Sequence, residues 1–469
     1  MSTRHVKTLG ALTALALALA ACSSGGTAAS GGSAGANAGG EQAAPAKGTL
    51  DTASGVTKVA FWHAMNGTNA EVLTKLVAEF NAAHQGKIQV DATYAGTYDD
   101  AITKYKASIQ SKATPDVIQI YDIGTRFMID AKQSVPMQAF IDRDSTDVSD
   151  LQPNITGYYT TDKKLNSMPF NTSMPVLYYN KTLFTKAGLD PNKPPTTIDE
   201  IKIMSEKLVK AKGGPVDHAF GAAIYGWFLE QFLATAGDQY CDQGNGRSGL
   251  ATKAQFDQAD AVQLVSWWQG MIKDGYAVNT GRETKAAQTA FTSQQVAMNL
   301  ESTGVLGSYT KAAAAGGFEL GVANYPKLKA GDGGPIIGGA SLWINGVGHP
   351  DVQKEASWEF VKFLANKKTQ ATWHTGTGYF PISKGALNEP VDVAYRQQNP
   401  LFDVAVKQLE GTPLNTATQG CALGVMPQSR KASEDGIEKA LNGADPQASM
   451  TDAANGLQSA IKQYNSSVK

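Results

Sequence analysis

Cysteine is scarce in this chain, with three among 469 residues: Cys22, Cys241 and Cys421. Neither their spacing nor that of the six histidines makes a zinc site, so no metal and no cofactor is expected. Net charge is lacking too. Lysine plus arginine number 41 against 42 acidic residues, which gives nothing to favour nucleic acid or a strongly charged surface. Beyond residue 55 no Gly-x-Ser-x-Gly, His-Glu-x-x-His or glycine-rich phosphate loop with lysine occurs, which speaks against a hydrolase and against a nucleotide-binding plan. Ser459-x-x-Lys462 lacks the Ser-Asp-Asn and Lys-Thr-Gly companions of a penicillin-binding enzyme, so it reads as C-terminal helix sequence. The sequence has no internal repeat of about 20 to 50 residues, which excludes solenoids and propellers.

What is present begins at the N-terminus. Arg4, His5 and Lys7 precede an apolar stretch over residues 9–20, too short to span a bilayer, and Leu19-Ala20-Ala21-Cys22 closes it with small residues before a cysteine. This order reads as a lipoprotein export signal over residues 1–21, with Cys22 as the acylated mature N-terminus. Several acyl chains hold a soluble domain at a membrane surface, so the protein is expected outside the cytoplasm, lipid-anchored to the cell membrane. Residues 22–55 are nearly all small, which leaves nothing to offset backbone ordering entropy and predicts a flexible tether.

The remaining roughly 410 residues exceed one typical core, so two lobes are expected. In an exported protein Cys241 and Cys421 most simply form one disulfide, the alternative being two free thiols. Lys58-Val59-Ala60-Phe61-Trp62 reads as a strand. Asn69 can cap a helix in which Val72, Leu73, Leu76, Val77 and Phe80 recur at helical spacing. A strand near residues 88–93, a helix near 97–112 and a buried strand near 116–120 complete a β-α-β-α-β order, which implies a mostly parallel sheet with ligand at the carboxyl ends of its strands. Tyr98 and Asp122 fall at such ends. Pro175-Val176-Leu177-Tyr178-Tyr179 reads as a further strand, and Thr197 with Glu200 as a capping box. Helices are expected near 227–233, 262–271 and 358–364, and residues 336–344 read as chain crossing into a new strand.

Specific polar residues stand among apolar ones in Phe61-Trp62-His63-Ala64-Met65, Gln119-Ile120-Tyr121-Asp122-Ile123-Gly124, Pro169-Phe170-Asn171-Thr172-Ser173-Met174, Thr377-Gly378-Tyr379-Phe380-Pro381-Ile382 and Met426-Pro427-Gln428-Ser429-Arg430. In these runs, from about Val59 to the C-terminus, the chain resembles the family 1 extracellular solute-binding proteins of ABC importers, and within them the glycerol-3-phosphate-binding subfamily. The resemblance implies a two-lobe, type II-like periplasmic-binding-protein fold of the α/β class, with ligand in the hinge cleft and three interlobe crossings near residues 169–171, 334–338 and 380–381. Lobe 1 would comprise 56–170 and 339–379, and lobe 2 171–338 and 380–469. The implied partner is an ABC permease in the membrane, with no enzyme activity and a monomeric state.

The resemblance further implies that Tyr98 and Asp122 hold glycerol hydroxyls, that Ser173, Ser302, Gly339, Tyr379 and Arg430 hold a phosphate, and that Trp227 forms a wall. A guanidinium fork with hydroxyls and a bare glycine N–H suits phosphate oxygens. Each residue also has a plainer use: an interlobe ion pair for Arg430, turn positions for Tyr98 and Asp122, backbone satisfaction for the serines, core packing for Tyr379 and conformation alone for Gly339. Three positions depart from the subfamily. Asp122 replaces a longer glutamate. Ile224 replaces the first indole of a Trp-x-Gly-Trp wall, which is expected to open room for a glycerophosphodiester. Glu301 stands where a small neutral residue is usual; facing the cleft it would repel a dianion, whereas facing solvent it would do nothing. A neutral sugar stacked on Trp227, Tyr379 and Trp62 is the alternative ligand.

Overall fold

The computed structural model describes residues 41–329, 331 and 333–468. The expected signal peptide, Cys22 and the first part of the tether lie outside the described residues. From Glu41 onward the chain departs from the flexible tether expected through residue 55. Pro45 is buried, Ala44 and Leu50 pack against a hydrophobic core, and Thr49–Thr52 forms a short 3-10 turn. Arg143 Nη1 donates to the Pro45 carbonyl at 2.9 Å. A few apolar side chains among small ones are enough to dock this segment onto the first lobe.

In chain order the strands of the two main sheets are β1 (Thr57–His63), β2 (Ile88–Tyr94), β3 (Val117–Tyr121), β4 (Ser134–Val135), β5 (Met168–Ser173), β6 (Pro175–Asn180), β7 (Phe220–Ala222), β8 (Ala277–Asn279), β9 (Met298–Ser302), β10 (Leu320–Ala323) and β11 (Gly338–Asn345). The first sheet runs β2-β1-β3-β11-β4, with β5 also on β11. β1 pairs parallel with β2 and β3, as the β-α-β-α-β pattern requires, and β11 returns antiparallel to β3. The second sheet runs β8-β7-β9-β6-β10 and is mixed. Its helix Gly226–Ala236 has ten buried residues, as its near-continuous apolar sequence predicts.

Helix starts follow local chemistry. Thr97 and Asp100 form a reciprocal capping box ahead of Tyr98–Gln110. Thr197 caps Ile198–Leu208, but the Glu200 carboxylate accepts from Thr196 rather than closing the box on Thr197. Asn69 is not a cap. The helix begins at Gly67 behind Asn66, and Asn69 lies in its first turn with Nδ2 donating to the Gly304 carbonyl at 3.3 Å.

The three crossings fall partly elsewhere than expected. β5 belongs to the first sheet as far as Ser173, so the first crossing is at Met174, three residues late. The second runs between Ala323 and Gly338, as expected. Residues 380–381 are not a crossing: Phe380 N–H donates to Thr172 at 2.7 Å, and Phe380 and Ile382 are buried in the first-lobe core. The chain leaves only near residues 399–400, after which Gln408 bonds Pro175 and Tyr325 in the second lobe. Extended sequence around a proline can pair with a sheet edge as well as leave it. Cys241 and Cys421 are joined in a disulfide, with Cα atoms 5.9 Å apart across 180 residues of sequence.

Candidate ligand-binding cleft

Strand ends of both sheets converge on one cleft of about 840 Å³, as the carboxyl-end rule anticipates. Tyr98, Asp122, Ser173, Trp227, Ser302, Gly339, Tyr379 and Arg430 all line it, as do Glu301, Tyr121, Tyr225 and Glu434. Trp62 does not, which removes it from the aromatic set. Asp122 sits in the turn directly after β3, Ser173 ends β5, and Ser302 ends β9.

Tyr98 is fixed by a relay through the first lobe. Ala64 N–H donates to Gln119 Oε1 (2.8 Å), Gln119 Nε2 to Asn171 Oδ1 (2.6 Å), and Asn171 Nδ2 to Tyr98 Oη (2.8 Å). Its ring stacks on Tyr121 at 5.4 Å. The Tyr379 hydroxyl shares this network, and burial raises both phenols above their ordinary range. Glycines make room for the rings. A β-carbon at Gly304 would come within 2.6 Å of the Tyr379 ring, and one at Gly338 within 2.5 Å of Trp227. Gly339 has φ +94° and would strike the Asn171 carbonyl at 1.8 Å, so only glycine fits there.

Arg430 is 3 % exposed and held on one edge by Glu230, Nε to Oε1 at 2.7 Å and Nη2 to Oε2 at 2.8 Å. Nη2 lies 3.6 Å from Asp122 Oδ2, and Nη1 donates to Tyr225 Oη at 3.2 Å. The cluster therefore carries one cation among several carboxylates. Burial raises Asp122, Glu230 and Glu434, with Arg430 opposing the rise in each.

Glu301 faces the cleft rather than solvent. It is 5 % exposed, accepts from Ser302 N–H at 2.7 Å and from Gln288 at 3.0 Å, and burial pushes its carboxyl up to about 7. Ser302 Oγ accepts from Gly304 N–H at 3.0 Å, which leaves its own proton to donate. Among the described residues no group of three or more histidines, cysteines or acids is placed to hold a metal ion.

A family model described as bacterial extracellular solute-binding protein matches residues 75–401. The sn-glycerol-3-phosphate-binding periplasmic protein UgpB of Pectobacterium atrosepticum is 32% identical over 426 residues, 89% of this chain and 94% of that protein. The chain belongs to the bacterial extracellular solute-binding proteins. Solved structures of other binding proteins share the fold of this solute-binding protein. UgpB from Mycobacterium tuberculosis in complex with glycerophosphocholine has a TM-score of 0.74 at 22% identity, covering 87% of this chain and 99% of that one. The cyclic alpha-maltosyl-1,6-maltose binding protein from Arthrobacter globiformis has a TM-score of 0.69 at 23% identity, covering 87% and 100%. Among the described residues of this solute-binding protein no helix is long and apolar enough to cross a membrane.

Sequence reasoning misplaced one wall residue and missed others. Ile224, expected to open the wall, is 1 % exposed and buried in the second-lobe core behind the cleft, and Tyr225 takes the wall position. Glu230 was missed, although an acid inside the apolar run Gly226-Trp227-Phe228-Leu229-Glu230 is a signal that a buried partner exists. Glu434, one helical turn after Arg430, was missed as well; it accepts from Gly226 N–H at 2.9 Å and so satisfies a free helix-start donor.

Proposed function

We propose that this solute-binding protein is the substrate-binding subunit of an ABC importer, capturing glycerol-3-phosphate or a glycerophosphodiester in its cleft and delivering it to a membrane permease. The observation that supports this most is the convergence of Arg430, Ser173, Ser302, Gly339 and Tyr379 with Tyr98 and Asp122 on one cleft, a set of donors for phosphate beside polar groups for hydroxyls. Tyr98 and Asp122 take the glycerol hydroxyls, Arg430 Nη1 with the serines and Tyr379 takes phosphate oxygens, and Trp227 with Tyr225 walls the cleft. The protein binds and does not catalyse. It works as a monomer, held outside the cytoplasm by acyl chains on Cys22; fatty-acid labelling of wild type and its loss in Cys22→Ala tests the anchor.

One observation favours a second reading. Glu230 and Asp122 already match the charge of Arg430, and the aromatic faces of Trp227 and Tyr225 suit a neutral sugar. A thermal-shift panel of glycerol-3-phosphate, glycerophosphocholine, maltose and trehalose separates the two, since ligand at a hundredfold excess over Kd adds roughly 2.7 kcal/mol. Stabilisation by a phosphate ester and not by the disaccharides supports the first reading; the reverse replaces it with the sugar reading.

A further inference from the structure

Glu230 does not line the cleft, yet it decides what charge the cleft presents. It lies one helical turn beyond Trp227, buried in the second lobe, and its carboxylate spends both oxygens on the Nε–Nη2 edge of Arg430. That grip has two consequences. It leaves Nη1 as the guanidinium end directed toward Tyr225 and the cleft, and it cancels the charge of the one buried arginine in the site. Asp122 stands 3.6 Å from the same guanidinium from the other lobe, and Glu301 and Glu434 line the same cleft. The other cleft arginine, Arg282, is engaged by Asp435 and Glu438.

Building on the phosphate-ester reading, we propose that Glu230 is a positioning residue that sets the charge class of the ligand: with Arg430 neutralised, the cleft favours a singly charged phosphate, a diester, over the doubly charged monoester. The donors are then hydrogen-bond groups, Ser173, Ser302, Tyr379 and one face of Arg430, rather than free positive charge. Of the lysines that line the cleft, Lys431 pairs with Asp435 and Lys106 lies over the Phe127 ring, so a second negative charge on the phosphate meets Asp122, Glu301 and Glu434, with Glu230 behind Arg430. The groups facing Glu230 and Arg430 are Asp122 from the first lobe, Glu434 from the same helix as Arg430, and the phenols Tyr158, Tyr225 and Tyr240, which stay neutral.

The test is calorimetric titration of sn-glycerol-3-phosphate and of glycerophosphoglycerol, whose neutral head group isolates the phosphate charge, into wild type, Glu230→Gln and Glu230→Asp. At pH 7.5 the monoester is close to a dianion because its second pKa is about 6. Wild type binds the diester more tightly. Glu230→Gln shifts the monoester-to-diester ratio toward the monoester by on the order of tenfold, since a dianion feels the removed charge twice over at a separation of several ångströms, and Glu230→Asp, which keeps the charge, stays near the wild-type ratio. Should Glu230→Gln fail to fold, Glu301→Gln decides, because it removes the cleft carboxyl that titrates near 7: in it, lowering the pH to 5.5 makes the monoester a monoanion and raises its affinity relative to the diester. Equal shifts for both esters in Glu230→Gln, or a ratio in Glu301→Gln that stays constant across that pH range, overturn the assignment of Glu230 while leaving phosphate binding intact. Wild type that binds neither ester but takes up maltose overturns the phosphate-ester reading itself and this inference with it.

Discussion

Asp122 and Arg430 face each other from opposite lobes, Oδ2 to Nη2 3.6 Å apart, while Glu230 grips the same guanidinium from behind. The arginine is therefore a link across the hinge, and in the proposed function it is the phosphate donor as well. Arg430→Ala is expected to abolish ligand binding and to leave Glu230 and Asp122 buried without a countercharge, lowering stability by on the order of 3–5 kcal/mol. Removing the pair together, Arg430→Leu with Glu230→Leu, recovers most of that stability but not binding. Urea denaturation and calorimetry on the three proteins check this; a single mutant as stable and as tight-binding as wild type contradicts it.

Adjacent glycines predict different failures. A β-carbon at Gly339 meets backbone, the Asn171 carbonyl, at a φ of +94°, whereas at Gly338 it meets only the Trp227 ring. Gly339→Ala should lose about 2 kcal/mol or more of stability. Gly338→Ala displaces the indole and weakens ligand affinity with a smaller effect on unfolding. Equal unfolding midpoints for Gly339→Ala and wild type would contradict the close approach.

The buried carboxyl of Glu301 predicts a pH effect with a definite sign. Its value in the folded protein, about 7, lies above the ordinary 4.5, so the folded state binds the proton more tightly than the unfolded chain. That contribution is fully present below about pH 4.5 and is lost as pH rises through 7, a change on the order of 3 kcal/mol. Glu301→Gln should flatten the stability profile between about pH 5 and pH 8 and strengthen anion binding above pH 7. Profiles that coincide for the two proteins would show that Glu301 stays ionised.

The wall of the cleft offers a fourth test. Because Ile224 lies in the core, Ile224→Trp should overpack it, lowering stability by about 1–3 kcal/mol and leaving the preference between monoester and diester unchanged. Tyr225→Phe, which removes the hydroxyl on Arg430 Nη1, should change affinity with little loss of stability. Selective loss of diester binding in a stable Ile224→Trp protein would place residue 224 in the wall after all.

The parallel core of the first sheet was legible because β1, β3 and their helices carry clear periodicity, and Tyr98 and Asp122 because they follow strand ends, whereas Ser173, Trp227, Ser302, Gly339, Tyr379 and Arg430 were named only through the family resemblance. The third crossing was not legible, since Phe380 and Pro381 favour extended chain without saying which sheet receives it. The docking of residues 41–55 was hidden because two or three apolar contacts decide it. Ile224 and Tyr225 could not be ordered from sequence, because which of two neighbours faces a cleft depends on the turn between β7 and its helix. Glu230 was readable as an acid in an apolar helix, but only the fold names its partner.

The most direct test of the account is where a bound phosphate sits. A structure of the protein with a glycerophosphodiester should place the phosphorus so that its oxygens lie about 3 Å from Arg430 Nη1 and from the Ser173 and Ser302 hydroxyls, with the glycerol hydroxyls at Tyr98 and Asp122. A phosphate found elsewhere, or a disaccharide stacked on Trp227 while Arg430 contacts only Glu230 and Asp122, would contradict it.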